Sequence, residues 1–150
     1  SKFGDAVAAF DSACLKASLE NRVVSPGFRS VREALPLMAS QGVTWDGDGS
    51  PIPHDSFRRG SLLLQFAPVE RGGSAFGRCV LSGRVSDPDA FANRATLLLG
   101  EPFLRAGPGF GDNQSSVVWR YAGGHFVVLL FDADTNPARF VLQSVRPAIE

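Results

Sequence analysis

The sequence predicts an α+β fold in which about three helices pack on a five-stranded, mainly antiparallel sheet. One observation is that apolar residues recur at helical spacing in two N-terminal segments and in one segment near residue 90. Another is that five further segments have the apolar alternation or short apolar runs of strands. Short turns rich in Gly, Asp and Pro separate several of these strands, which favours antiparallel pairing. The predicted order of elements is ααββαβββ.

The first predicted helix is defined by a single apolar stripe. The stripe has spacings of four, three and four residues, which place its members on one helical face: Phe3, Val7, Phe10 and Cys14. Polar residues lie off this stripe. We therefore expect a helix that buries this face.

A second helix is predicted to begin at "SPGF", where Ser25 can cap it and Pro26 can occupy the first helical position. Its apolar stripe consists of Phe28, Val31, Leu35 and Met38. Pro36 falls inside the pattern and predicts a kink, and Gly42 ends the helix. Residues 43–60, dense in Gly, Pro and Asp, are predicted to form an irregular surface loop.

The middle of the chain predicts a β-hairpin followed by a third helix. The segments "SLLLQFAPV" and "AFGRCVLSGRV" have strand patterns and are joined by the turn "ERGGS". Ser86 or Asp87 can cap the helix that follows, and Gly100 can end it. Its apolar face consists of Phe91, Ala95 and Leu98.

The C-terminal part predicts three strands after a loop over residues 101–114. They are "SSVVWRYA", "HFVVLLFD" and "ARFVLQSV". Gly123 and Gly124 suit a two-residue hairpin turn, because glycine adopts positive φ without steric cost. The run "FVVLLF" is apolar on both faces, which predicts a central strand that is covered on both sides, or by helices on one side and a partner on the other.

Composition limits the classes of protein to which the chain can belong. Its 150 residues predict a single domain, residues 1–150, with 44% apolar and 20% charged residues. Fifteen basic residues balance fifteen acidic ones, so we expect no nucleic-acid partner. We expect no transmembrane segment either, because no apolar run approaches the length that spans a bilayer.

The two cysteines, Cys14 and Cys79, both lie on the predicted core face of their element. Neither belongs to a C-x-x-C pair, and the two histidines lack ligand spacing, so zinc and dithiol redox chemistry are disfavoured. The residues alone leave two interpretations open. The cysteines are either independent buried thiols or a disulfide.

Several loose motifs resemble a known group of proteins. They are F-x-x-x-C at Phe10 and Cys14, a glycine before an aromatic residue at Gly42 and Trp45, the strand cysteine Cys79, a helix ending "LLLG", and the hairpin "VVWRYAGGHFVVLLF". Together the motifs resemble an uncharacterised family of small exported proteobacterial proteins. The resemblance implies a periplasmic or secreted location, a signal peptide already removed and a Cys14–Cys79 disulfide. It implies no mechanism.

Candidate binding residues are few. His54 stands beside Asp55, which permits a hydrolase site with Asp55 or Asp46 as partner. Arg58 and Arg59, with Arg71, could form a small anion-binding patch. Trp45, Trp119 and Tyr121 are the aromatic candidates, and Trp119 and Tyr121 are either core residues or an open aromatic surface. His125 is predicted to be an exposed strand end.

No motif predicts a metal site or a cofactor site. Asp46, Asp48 and Ser50 alternate as calcium ligands do, but the glycine and the glutamate that a calcium loop needs are missing, so at most weak binding is expected. The "GPGFG" stretch lacks the strand-to-helix setting of a phosphate loop. We assign no catalytic residue, metal or cofactor.

The sequence favours a non-enzymatic exported domain that binds a protein, a peptide or a small molecule. The absence of a recognisable catalytic constellation supports this prediction, and the long loops supply places for a ligand. Two alternatives are a hydrolase with a His54 and Asp55 site, and a structural protein of the cell envelope.

Overall fold

The computed structural model describes residues 2–16, 27–33, 35, 37, 54–67, 76–106, 114–121, 125–132 and 137–147. Helix α1 (Lys2–Phe10) continues into a π-helical turn (Asp11–Lys16), and helix α2 spans Pro88–Leu99. The strands are β1 (Arg29–Ser30), β2 (Asp55–Arg59), β3 (Leu62–Ala67), β4 (Phe76–Val85), β5 (Leu104–Ala106), β6 (Gln114–Tyr121), β7 (His125–Asp132) and β8 (Ala138–Pro147).

All eight strands belong to one sheet with the order β1-β2-β3-β4-β8-β7-β6-β5, and every neighbouring pair is antiparallel. Strands β1 to β4 form one meander and β5 to β8 another. The two meanders join along β4 and β8, the longest strands, and α2 connects them in sequence. The predicted five-stranded sheet with about three helices is therefore wrong, since the described residues form eight strands and two α-helices.

The predicted second helix is the main error. Gly27 has a positive φ of 74°, and Arg29 and Ser30 form an edge strand that pairs with β2. The amide of Val31 donates to the carbonyl of Ser56 at 2.9 Å. Phe28, next to this strand, packs against the main core, and apolar spacing alone could not distinguish this arrangement from a helical stripe. Residues 38–42 lie outside the described part.

The two predicted loops also contain strands. β2 lies in the segment 43–60, and β5 lies in the segment 101–114. Both strands are short, and their polar residues give little strand signal. Pairing with β3 and β6 decides their structure, because tertiary contacts override weak local preference. Residues 43–53 and 107–113 lie outside the described part.

Most of the remaining elements lie where they were predicted, but the predicted apolar face of α2 is wrong at Leu98, which is 37% exposed, whereas Phe91 and Ala95 are buried. β3, β4, β6, β7 and β8 lie where strands were expected, and α1 follows its apolar stripe. The side chain of Asp87 accepts a hydrogen bond from the amide of Ala90 at 3.1 Å, and Pro88 opens α2. Gly100 ends it with φ of 86°.

The main core lies between the helices and one face of the sheet, which we call the helix face. Its largest fully buried side chains include Phe10, Phe91, Trp119, Phe140 and Leu142. A smaller cluster occupies the opposite face: Leu37, Ala67, Val80, Leu130 and Val141.

The prediction that "FVVLLF" is covered on both faces is wrong at one end. Val127, Leu129 and Phe131 are buried on the helix face, but Phe126 on the other face is 39% exposed. The central positions of the sheet belong to β4 and β8 instead.

Candidate ligand-binding cleft

Trp119 is a core residue. It is fully buried, and its indole Nε1 donates to the carbonyl of Gly100 at 2.9 Å. This bond fastens the end of α2 to β6. The alternative in which Trp119 forms an open aromatic surface is therefore wrong. The backbone of Tyr121 pairs with His125, and its side chain lies outside the described part.

His54 has a structural contact. It is partly buried, and its Nε2 donates to the carbonyl of Leu35 at 2.8 Å. This bond ties the segment after β1 to the start of β2, where Asp55 is exposed. Trp45, Asp46, Asp48 and Ser50 lie outside the described residues, so the hydrolase site and the weak calcium loop stay predictions.

His125 is buried, so the prediction of an exposed strand end is wrong. Its Nε2 is hydrogen-bonded to the hydroxyl of Ser144, and each of the two residues is 1% exposed. β8 covers the edge of β7 and brings Ser144 opposite Val127. A serine and histidine pair enclosed in this way is inaccessible to a substrate. Their hydrogen bond is therefore part of the core.

Cys14 and Cys79 form a disulfide with their Cα atoms 5.2 Å apart. Both residues are buried. The bond joins the π-helical turn after α1 to the central strand β4. It therefore holds the N-terminal helical segment against the helix face of the sheet.

Arg58 and Arg59 do not form the predicted joint patch. They are consecutive in β2, and consecutive side chains leave a strand on opposite faces. Arg58 is exposed on the face away from the helices. Arg59 is half-buried, and its guanidinium carbon lies 4.8 Å from the centre of the Phe28 ring. Arg71 lies outside the described part.

A cleft of about 710 Å³ opens next to Arg59. α1, the β2–β3 turn, the end of β4, the start of α2 and the start of β8 surround it. Its apolar lining consists of Ala6, Leu62, Val85, Phe91, Pro137 and Phe140. A small molecule entering from solvent would therefore meet an apolar floor held by both helices and the sheet.

The floor of the cleft depends on a glycine in a strand. Gly83 pairs with Phe140, and a Cβ at this position would lie 3.1 Å from Phe140 and 3.2 Å from Leu62. The missing side chain lets both neighbours lie close to the sheet. Phe140 is further fixed by Phe91, with ring centres 4.5 Å apart. Glycine inside a strand is a sequence signal for such close approach.

The rim of the cleft is polar and positively charged. Arg59 and Arg84 are the charged residues among its described lining, and Ser61 and Ser86 are exposed beside them. One guanidinium nitrogen of Arg84 donates to the carbonyl of Pro137 at 3.3 Å. Sequence reasoning singled out Arg59 only with Arg58 and missed Arg84, because nothing local indicates that β2 and β4 end at one cleft.

Three large apolar side chains are exposed outside the cleft, one on α2 and two at the start of β5. Leu97, Phe103 and Leu104 are between 52% and 78% exposed. The guanidinium carbon of Arg120 lies 3.9 Å from the ring centre of Phe103. Phe103 is thus an exposed aromatic residue, whereas Trp119, to which the sequence drew attention, is buried.

Within the described ranges, no group of three or more His, Cys, Asp or Glu side chains could hold a metal ion. No described helix is long and apolar enough to cross a membrane. No protein-family model, curated protein or solved structure matches the chain.

Proposed function

We propose that the protein is a non-enzymatic binding domain that works outside the cytoplasm and holds a small apolar ligand in the cleft. The observation that carries this proposal is the apolar floor of the cleft, in which half-buried Leu62 lies beside the buried rings of Phe91 and Phe140. The cleft volume of about 710 Å³ falls in the range of ligand pockets, roughly 300–1,000 Å³.

The setting of the floor favours binding without large rearrangement. Phe91 and Phe140 are each 1% exposed and contact each other, and Phe91 also meets the ring of Phe131 edge to face. Side chains fixed in this way lose little conformational entropy when a ligand arrives. A pre-formed apolar cleft of this kind is the usual form of a small-molecule site.

The compartment is inferred from the disulfide. Buried disulfides persist in oxidising environments and are rare in the cytosol. The resemblance to small exported proteobacterial proteins agrees with a periplasmic or secreted location. Fractionation of cells that make the protein naturally, followed by detection with an antibody, tests this part of the proposal. Recovery with the cytoplasmic fraction would contradict it.

Binding in the cleft is tested with pyrene, a neutral apolar fluorophore. We expect saturable binding with a fluorescence change. Ala6 lines the cleft from α1, so Ala6→Leu should fill part of it and weaken binding. Ala8 is exposed on the same helix, so Ala8→Leu is the matched control and should bind as the unaltered protein does.

The comparison of the two variants decides the outcome. Both variants are first checked for cooperative thermal unfolding. Pyrene that does not bind, or that binds equally to folded Ala6→Leu and Ala8→Leu, would contradict the assignment of the cleft as the ligand site.

A further inference from the structure

We propose that the ligand of the cleft is an amphiphilic anion, with an apolar chain and a carboxylate head. This inference rests on the proposed function of the cleft as a binding site. It assigns the chain to the apolar floor and the head to the rim that carries Arg59 and Arg84.

The charges at the rim favour an anion. Both charged residues of the described lining are arginines, and none of the described lining residues is acidic. A guanidinium presents parallel N–H donors that match the two oxygens of a carboxylate. A cationic head would be repelled by the two guanidinium groups of this rim, and a neutral head would make no charge-assisted hydrogen bond with them.

The positions of the arginines suit this recognition. Arg59 lies at the end of β2 and Arg84 near the end of β4, with Leu62 of the intervening strand β3 on the cleft floor. The Phe28 ring packs against the guanidinium of Arg59, and the Pro137 carbonyl accepts from Arg84. These contacts restrict both side chains before a ligand arrives, which lowers the entropic cost of binding.

Two hydroxyl groups complete the rim. Ser61 follows Gly60 in the β2–β3 turn, and Ser86 follows β4. Both residues are exposed and line the cleft. A serine hydroxyl can donate to a carboxylate oxygen that an arginine does not reach. The apolar floor and the donor-rich rim together match a molecule with one apolar end and one anionic end.

The experiment compares three ligands that share one alkyl chain and differ in the head: laurate, dodecanol and dodecylammonium. Each displaces pyrene from the protein below its critical micelle concentration, and laurate is also titrated directly by calorimetry. Laurate should bind about tenfold more tightly than dodecanol, since charge-assisted hydrogen bonds stabilise only the anion. Dodecylammonium should bind least tightly. Added salt should weaken the binding of laurate and leave the binding of dodecanol unchanged.

The arginines are tested as a pair with a charge-matched control. The double variant Arg59→Gln with Arg84→Gln should bind laurate about tenfold less tightly, and its affinities for dodecanol and pyrene should be unchanged. Arg58→Gln with Arg94→Gln removes the same charge at exposed positions away from the cleft and should leave laurate unchanged. If the first double variant does not fold, its single variants are measured instead.

The outcomes separate the two proposals. Equal affinities for laurate and dodecanol would overturn the anion inference, and so would equal losses in the cleft and control variants. In both cases the proposed function would still be supported if pyrene binds and Ala6→Leu weakens its binding. Absence of binding for pyrene and for laurate would overturn both.

Discussion

Cys79 of β4 lies directly opposite Ser144 of β8, and its disulfide to Cys14 ties the π-helical turn to this pair of central strands. The disulfide therefore crosses from the helical layer to the point where the two meanders join. Ser144 in turn is hydrogen-bonded to His125 of β7. One small region of the core thus links the π-helical turn, β4, β8 and β7.

Reduction of the disulfide should destabilise the protein markedly. The cysteines are 65 residues apart in sequence, and closing such a loop stabilises a fold by about 4 kcal/mol through the entropy of the unfolded chain. We expect reductant to lower the unfolding temperature by about 10 °C. Differential scanning calorimetry with and without reductant measures this change.

The control for the disulfide is the variant Cys14→Ser with Cys79→Ser, whose unfolding temperature should not respond to reductant. Denatured, unreduced protein should contain no reactive thiol. Two reactive thiols per chain in protein recovered from an oxidising compartment would contradict the bond.

Substitution of Trp119 should lower stability through packing and hydrogen bonding together. Trp119→Phe leaves a cavity in the helix-face core and removes the donor to the Gly100 carbonyl. We expect a loss of about 2–3 kcal/mol in the free energy of unfolding, measured by urea denaturation.

Phe103→Leu is the comparison for this substitution, because it trims an aromatic ring that is 54% exposed. It should change the free energy of unfolding by less than about 0.5 kcal/mol. Similar losses of unfolding free energy in the two variants would show that the buried Trp119 contributes no more to stability than the exposed Phe103.

The pair of His125 and Ser144 should contribute to stability and not to chemistry. Ser144→Ala removes one partner of a buried hydrogen bond and should cost about 1–3 kcal/mol. Ser30→Ala, at an exposed position in β1, should have little effect on urea denaturation. Labelling of Ser144 in the folded protein by a fluorophosphonate probe would contradict the structural role.

The contribution of the helix cap Asp87 to stability should be measurable by itself. Asp87→Ala removes the acceptor for the Ala90 amide, and we expect a loss of about 1 kcal/mol. Asp87→Ser keeps a capping oxygen and should recover most of this loss. Equal unfolding temperatures for Asp87→Ala and the unaltered protein would show that the cap contributes nothing.

Several elements could be predicted because their signals are local. The cap at Asp87, Pro88 and the terminal Gly100 define α2 within a few residues of its ends. The apolar alternation of β4 predicts its strand and the face that carries Cys79. These signals depend on backbone dihedral preferences and side-chain periodicity, which operate over short stretches of chain.

The segment around Phe28 could not be assigned in the same way. Its apolar residues have the spacing of a helical stripe, but Arg29 and Ser30 pair with Arg58 and Phe57 of a strand almost thirty residues further along the chain. Such pairing depends on which strand of the assembled sheet has an unpaired edge. No local pattern contains that information.

The cleft was beyond local reasoning for a related reason. Arg59 and Arg84 are 25 positions apart in sequence and reach one rim because β2 and β4 end at the same side of the sheet. Gly83 acquires its importance only when β8 places Phe140 opposite it. The candidate site is therefore a product of strand order and register.

The start of α2 to within one residue, the five longest strands and the core faces that carry both cysteines could be read from the sequence, because caps and periodicity are properties of neighbouring residues. The tertiary structure decided the eight-stranded order, the three short strands, the pairing of the cysteines and the joining of two arginines above an apolar floor. These features depend on contacts between residues far apart in the chain, which form only when the whole sheet assembles.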